Sequence, residues 1–444
     1  MKPKSKIEQR AAFQAFVDRS ILAAVSAGTT SFDALLCSLP SIYPTELLAS
    51  VNRLSDSGAI NPATVVSAHH EASTRRFEPP DGRSLLPLPH PLDFEWRFTP
   101  DAARDLLNAL SSLTAADDDV LLFGTPGLAA EALSLPTNRR LAFLGEDNVV
   151  TRRLIALNDV TDSPMSVAFC SAGVPVNSAN AIVLDPPWYI DFIRPMLAAA
   201  SAACRRDGFV LVSLPPVGTR PSAHTDHETL VRFAARIGLD LVDELPLALV
   251  YDTPFFEANA LAASGIFAPS RWRRGDLVIF RKSRKLIRPV DLASGRRREW
   301  IETSVGRMRL FVKPDFDSTK GMEGLVPIID GDILPSVSRR DRRRRGAQIW
   351  TSGNRIFRTD NASLVIEAAY AHRSKELGTS AQPRLWGTLG EREAVERICN
   401  VLGELAAREA AEERGPSSII LERGVSRKST SMNSYSSLAA TAFG

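Results

Sequence analysis

Asp185-Pro186-Pro187-Trp188-Tyr189 has the residue types and spacing to do chemistry, and it follows directly on the apolar run NAIVL. That run predicts a buried strand, and in an open parallel sheet the carboxyl ends of the strands face the ligand crevice. A carboxylate at Asp185 and the carbonyl of Pro186 can each accept one N–H of an amino group. Holding both hydrogens aims the nitrogen lone pair at an electrophile. Two prolines stiffen the turn, and Pro186 brings no competing N–H. Trp188 can stack on a planar acceptor, with Tyr189 beside it as a substrate-binding candidate. The plain alternative is a turn that ends a strand.

A second group lies upstream. Gly124-Thr125-Pro126-Gly127 follows the run DVLLF and opens a helix, where a backbone turn and a helix N-terminus would meet a cofactor. Gly145-Glu146-Asp147-Asn148 ends the next strand about 20 residues on, the interval expected for a carboxylate that binds ribose hydroxyls. Asp147 and Glu146 are both candidates for that role, and Asn148 can cap the helix that follows. Weaker candidates are Tyr251 and Phe255, in a stretch of carboxylates and aromatics that forms either a substrate wall or a packed loop. Trp96-Arg97-Phe98 either covers the crevice or docks a linker, and Trp350 and Arg355 belong either to a basic aromatic surface or to a core. The six His show no metal-ligand spacing, so no metal is expected.

These residues need elements to position them. From about residue 95 to 285 strand-like runs alternate with helical ones, which predicts a doubly wound, mainly parallel α/β sheet, with GDLVIFRK as an antiparallel edge strand. Residues 1–75 read as three short helices and an extended segment, Ala59 to Ser67: a winged helix-turn-helix. Its recognition helix carries only Arg53 as a cation, thin for DNA contact, so a dimerising or substrate-covering role is expected. Residues 76–94 hold five prolines and predict an extended linker. Residues 286–414 predict a basic α+β region with strands in RMRLFVKP and QIWTSGNRIFR and a helix over 391–413, and 415–444 a disordered tail.

The stretch Asp185 to Trp188 resembles the (D/N)PP(Y/F/W) motif of class I S-adenosylmethionine-dependent amino-methyltransferases, its tryptophan form looking most like the adenine N6-methyltransferases. The resemblance implies a Rossmann-like domain, S-adenosylmethionine as cofactor, and methyl transfer to an amine oriented by Asp185 and Pro186. The layout of a winged helix before a Rossmann domain with an acidic loop is also similar to the branched-chain polyamine synthases. That implies aminopropyl transfer from decarboxylated S-adenosylmethionine, with Asp185 and Glu146 or Asp147 binding a polyamine. A non-enzymatic winged-helix regulator with a degenerate Rossmann domain is the third reading. Both similarities cover mainly residues 95–285.

Composition bounds the rest. With 44% hydrophobic and 24% charged residues, the chain reads as globular. Four scattered cysteines and an N-terminus without a secretory signal fit a reducing cytoplasm, and no membrane partner is expected. Residues 271–345 carry 21 Lys or Arg against 10 Asp or Glu in a chain of net charge +3, so this quarter is basic and the remainder acidic. An anionic acceptor such as nucleic acid is the partner such a patch suits, and a homodimer through the winged helix is the other association expected.

Overall fold

Runs such as DVLLF and NAIVL are apolar at every inner position, so they are stable only where both faces are covered, as in a parallel sheet between helices. The computed structural model, which describes residues 5–39, 41–61, 85–135, 139–161, 165–284, 299–314, 324–359, 361–376 and 389–425, shows that arrangement. Strands β2 (Asp119–Phe123), β3 (Arg140–Gly145), β4 (Ser166–Phe169), β5 (Ala179–Leu184) and β6 (Cys204–Leu214) lie parallel in the order β4-β3-β2-β5-β6. Beyond β6 come the antiparallel β8 (Arg274–Lys282), then β7 (Leu239–Asp252) and the two-residue β1 (Arg97–Phe98). The result is an eight-stranded, mainly parallel, Rossmann-like sheet. GDLVIFRK, expected at an edge, is internal, because the 14-residue β7 pairs along its outer side.

Successive strand residues point to opposite faces. Val120 and Leu122 therefore pack with α4 (Pro100–Leu113), α5 (Pro126–Leu133) and α6 (Val149–Asn158), through Leu106, Leu128 and Leu154. Leu121 and Phe123 pack with α7 (Ile190–Ala203) and α8 (Ala223–Arg236), through Leu197 and Leu230. The order of connection reverses between β2 and β5, which is where open α/β sheets bind ligands. Phe123 is paired with both Leu144 and Leu184, so Gly124, Gly145 and Asp185 emerge side by side at the carboxyl ends.

Helices α1 (Lys6–Ser26), α2 (Phe32–Ser38) and α3 (Pro44–Asp56) form the three-helix unit at the N-terminus. It is not a free module. Its core of Phe13, Ile21, Leu35 and Val51 continues into Leu261 of α9 (Phe255–Ala263) and into Trp272. Arg53 is held by Asp18 at 2.5 Å, and most of the expected extended segment, residues 62–67, lies outside the described residues.

The C-terminal region is a five-stranded antiparallel sheet, β9 (Ile301–Val305), β10 (Met308–Val312), β11 (Val326–Pro327), β12 (Ile349–Thr351) and β13 (Ile356–Arg358), in the order β11-β13-β12-β10-β9. Helices α10 (Ala362–Glu376) and α11 (Leu389–Val425) pack on it through Val365, Ile398 and Leu402. α11 runs past Gly415, so the expected tail begins as helix, and residues 426–444 lie outside the described residues.

The linker is docked where residues 85–94 are described. His90 is fully buried, accepting the Leu92 N–H at Nδ1 and sharing a hydrogen bond of 3.1 Å between Nε2 and the Trp350 carbonyl. Arg309 of β10 joins linker to sheet, contacting Asp93, the Leu88 carbonyl and Glu302. Glu302 in turn accepts the N–H of Val149 at the start of α6. The linker and the C-terminal sheet thus close over the carboxyl-end side of the main sheet. No helix among the described residues is long and apolar enough to cross a membrane.

Candidate functional site

Asp185 emerges from β5 half-buried, and its Oδ1 is held from below. Tyr251, near the end of β7 and itself 1% exposed, donates to Asp185 Oδ1 at 2.8 Å. The Tyr251 hydroxyl lies 2.5 Å from Ser213 Oγ of β6, which accepts the Trp188 indole N–H at 3.2 Å. Since Tyr251 gives its proton to Asp185, Ser213 gives its own to Tyr251. The donors run Trp188, Ser213, Tyr251, Asp185, all pointing at the carboxylate. Burial nevertheless pushes the Asp185 carboxyl up to about 7, against the lowering effects of Tyr251, Ser213 and Arg273.

Among the described residues, Asp185 Oδ2 and the Pro186 carbonyl take no hydrogen bond. They are the two acceptors that the Asp-Pro-Pro spacing would offer an amine. Trp188 is placed differently from expectation. It is 6% exposed, edge-on to Tyr251 at 5.6 Å, and its ring is covered by the Arg273 guanidinium at 4.2 Å. No open face is left on that side for a planar acceptor, and its indole N–H serves the relay under Asp185. Gly275 makes room for this packing, since a Cβ there would lie 2.9 Å from Trp188 Cζ2 and 3.0 Å from Ser213 Oγ.

Tyr189 is half-buried beneath arginines: Arg339 stacks 4.0 Å over its ring and Arg220 lies 5.8 Å away. Arg339 also pairs with Asp191 at 2.7 Å, and Arg220 donates to the Trp188 carbonyl. Tyr251 and Phe255, expected as a substrate wall, are buried at 1% and 2%. Tyr251 acts on the site from beneath, and Phe255 is interior at the start of α9.

The upstream group gathers at the same switch point. Gly124 has φ +66°, a left-handed conformation suited to glycine, and the following Thr125 is 3% exposed with its Oγ1 unpartnered. α5 starts at Pro126 without a side-chain cap. The aliphatic stem of Arg97 lies against Gly127, where a Cβ would come within 3.2 Å of it, and its guanidinium is held by Glu95 and the Pro87 carbonyl. Of the two acidic candidates, Glu146 is exposed just beyond β3, whereas Asp147 pairs with Arg152 at 3.0 Å. Asn148 caps α6 by accepting the Thr151 N–H.

Trp350 and Arg355 are core residues. Trp350 is 1% exposed, and Arg355, 2% exposed, is bound to Glu412, Asp332 and Glu409, so neither forms a surface. The Arg-rich segment is ordered: Arg342–Gly346 form a 3-10 turn, Arg344 packs 4.7 Å over Trp350, and Arg340, Arg342 and Arg345 are exposed. Among the described residues, no group of His, Cys, Asp or Glu is arranged to hold a metal ion.

Sequence reading missed Ser213, Arg273 and Gly275. Each lies on β6 or on or beside β8, strands that pair antiparallel with Ser213 opposite Leu277.

No family model and no curated protein sequence matches the chain. Among solved structures it is similar to a mutein of the branched-chain polyamine synthase from Thermus thermophilus, in complex with N4-aminopropylspermidine and 5′-methylthioadenosine. That likeness has 13% identity and a TM-score of 0.47, over 65% of this chain and 95% of the other. The non-mutein synthase from Thermus thermophilus gives 13% and 0.43, over 62% and 90%. A methyltransferase from Pyrococcus furiosus gives 14% and 0.30, over 42% and 84%.

Proposed function

We propose that the chain transfers a methyl group from S-adenosylmethionine to an amino nitrogen held by Asp185 and the Pro186 carbonyl. The observation that carries this reading is the pair of unused acceptors, Asp185 Oδ2 and the Pro186 carbonyl, at the switch point and beside Gly124. The residues present fit the cofactor: a left-handed Gly124, an orphaned Thr125 Oγ1, an uncapped α5 N-terminus and the exposed carboxylate of Glu146. Glu146 is the better candidate for ribose, because Asp147 is already paired. When bound, the cofactor supplies an electrophilic methyl on a sulfonium.

The chain's own work is positioning. Asp185 Oδ2 and the Pro186 carbonyl each take one N–H, leaving the lone pair directed outward, and the Tyr251–Ser213–Trp188 relay keeps the carboxylate from turning. As the nitrogen is alkylated it becomes acidic, and Asp185 Oδ2 is in place to receive the proton.

The deciding experiment is calorimetric titration of the full chain with S-adenosylmethionine and with its decarboxylated form. Tighter binding of the first supports methyl transfer. Tighter binding of the second shifts the reading to aminopropyl transfer, for which the buried Glu257 carboxylate is a candidate cation partner. Binding of neither sinks both enzymatic readings.

The Asp185 carboxyl also fixes a pH dependence. Methyl transfer needs its anion, so kcat/KM should rise with pH through an apparent value of about 7, and Asp185→Asn should flatten that limb. Stability should run the other way. Asp185, Glu257 and Glu409 are each pushed up by burial to about 7, so between about 4 and 7 the folded chain holds protons that the unfolded chain has released. Thermal unfolding should therefore occur at a higher temperature at pH 6 than at pH 8, and the reverse order would count against these carboxyls being desolvated.

The exposed arginines suit a nucleic-acid acceptor. Replacing Arg340, Arg342 and Arg345 by Gln should leave the unfolding temperature unchanged. For a single-stranded oligonucleotide, the slope of log affinity against log salt should become shallower by about 0.7 for each phosphate no longer neutralised. An unchanged slope would remove these residues from the acceptor path.

A further inference from the structure

Arg273, just before β8, lies between two indoles, 4.1 Å from Trp96 on one side and 4.2 Å from Trp188 on the other. The rings satisfy the faces of its guanidinium. The edge is a different matter: among the described residues no carboxylate or carbonyl takes any of its five N–H groups. Arg271, two residues earlier, shows the ordinary alternative, pairing with Asp252 at 3.3 Å. An unmet guanidinium edge in a half-buried position is costly, and sandwiching between rings holds it in one plane, ready for a bidentate partner.

Its surroundings narrow what that partner is. Asp185 and Glu257 both feel its charge, yet neither is within ion-pair distance. Glu257 is fully buried, with the Tyr43 hydroxyl beside it. The strand order β2-β5-β6-β8 sets Arg273 on the side of Asp185 away from Gly124 and Glu146, the half of the crevice left to the acceptor. We infer that Arg273 binds an oxyanion, a carboxylate or a phosphate, carried by the acceptor close to the amino group that Asp185 holds. This rests on the reading of Asp185 as the amine-binding residue. It makes the site selective for anionic amines over neutral ones of the same shape.

The test uses the full-length chain and two matched pairs of probes, adenosine 5′-monophosphate with adenosine, and 4-aminobenzoate with 4-aminobenzamide. The parent protein should bind the anionic member of at least one pair ten-fold or more tightly than its neutral counterpart. The pair that shows the preference identifies phosphate or carboxylate as the group read. Arg273→Gln should erase the preference, and Arg273→Lys, which keeps the charge and loses the fork, should keep only part of it. Should Arg273→Gln fail to fold, Arg273→Lys decides alone, a full parental preference counting against the inference. Equal binding within both pairs by the parent, or a preference that survives Arg273→Gln, overturns it. So does loss of S-adenosylmethionine binding in a folded Arg273→Gln, which would place the guanidinium on the cofactor. If the parent binds no S-adenosylmethionine yet shows the preference, the methyl-transfer reading fails and the anion site stands.

Discussion

Asp185→Ala is expected to reduce single-turnover methyl transfer by about 10²- to 10⁴-fold, the range that a positioned acid–base group supplies, while S-adenosylmethionine affinity stays near the parental value. The separation follows from the geometry. The proposed cofactor cradle lies at the ends of β2 and β3, whereas Asp185 follows β5, on the other side of β2 from β3. Stability should survive, because the carboxylate removed is a desolvated one and Tyr251 keeps Ser213 as a partner at 2.5 Å. Asp185→Asn retains an oxygen that accepts an N–H but cannot take a proton near pH 7, so partial activity without the pH limb is the expected result. Tyr251→Phe should fall between the two, since it leaves the carboxylate in place and removes the donor that orients it. Full turnover in Asp185→Ala would refute the site.

The largest expected effect on folding is at Arg309. Its side chain is 1% exposed and ties together Asp93 at 2.5 Å, the Leu88 carbonyl at 3.0 Å, Glu302, and Glu95 at 3.9 Å. Removing one member of such a buried network strands the others, at a cost of about 3–5 kcal/mol. Asp93 and one oxygen of Glu302 would lose the guanidinium, while Glu95 keeps Arg97, so Arg309→Ala should fall within that range. The burial of Asp93 already raises its carboxyl to about 6 with Arg309 present. Without the arginine it should protonate more readily, and the destabilisation should be smaller at pH 5.5 than at pH 8. Denaturant unfolding at both values measures this, and a loss below about 1 kcal/mol at pH 8 would show that the network does not hold the C-terminal sheet to the linker.

Glu302 extends the consequence to the site, since its other oxygen accepts the Val149 N–H at the start of α6, close in sequence to Glu146. A variant that frees Glu302 should weaken cofactor binding as well as stability.

The central fold could be read from sequence because its strands are apolar on both faces. Residues 120–123 and 181–184 admit few environments other than a sheet covered by helices. The carboxyl-end rule then puts Gly124, Glu146 and Asp185 near one another from pattern alone. The three N-terminal helices were legible from apolar periodicity, with start signals at Ser31 and Pro44 for the second and third.

What the sequence could not reveal depends on partners distant along the chain. Trp188 looked like an open stacking platform, and its environment is decided by Ser213, Tyr251 and Arg273, 25 to 85 positions away. The five-proline stretch looked like a free spacer, but His90 and Asp93 find buried partners some 220 to 260 residues later. Residues 271–345 read as one basic patch. Tertiary packing divides its arginines from 339 to 345: Arg339 covers Tyr189, Arg344 covers Trp350, and Arg340, Arg342, Arg343 and Arg345 stay exposed, Arg343 paired with Asp341. Local sequence determines where a strand ends and which acceptors its turn presents, because those depend on the dihedral freedom and pattern of adjacent residues. Which faces of those residues stay open is a matter of long-range packing, and in this chain the antiparallel β8 and the C-terminal sheet decided it.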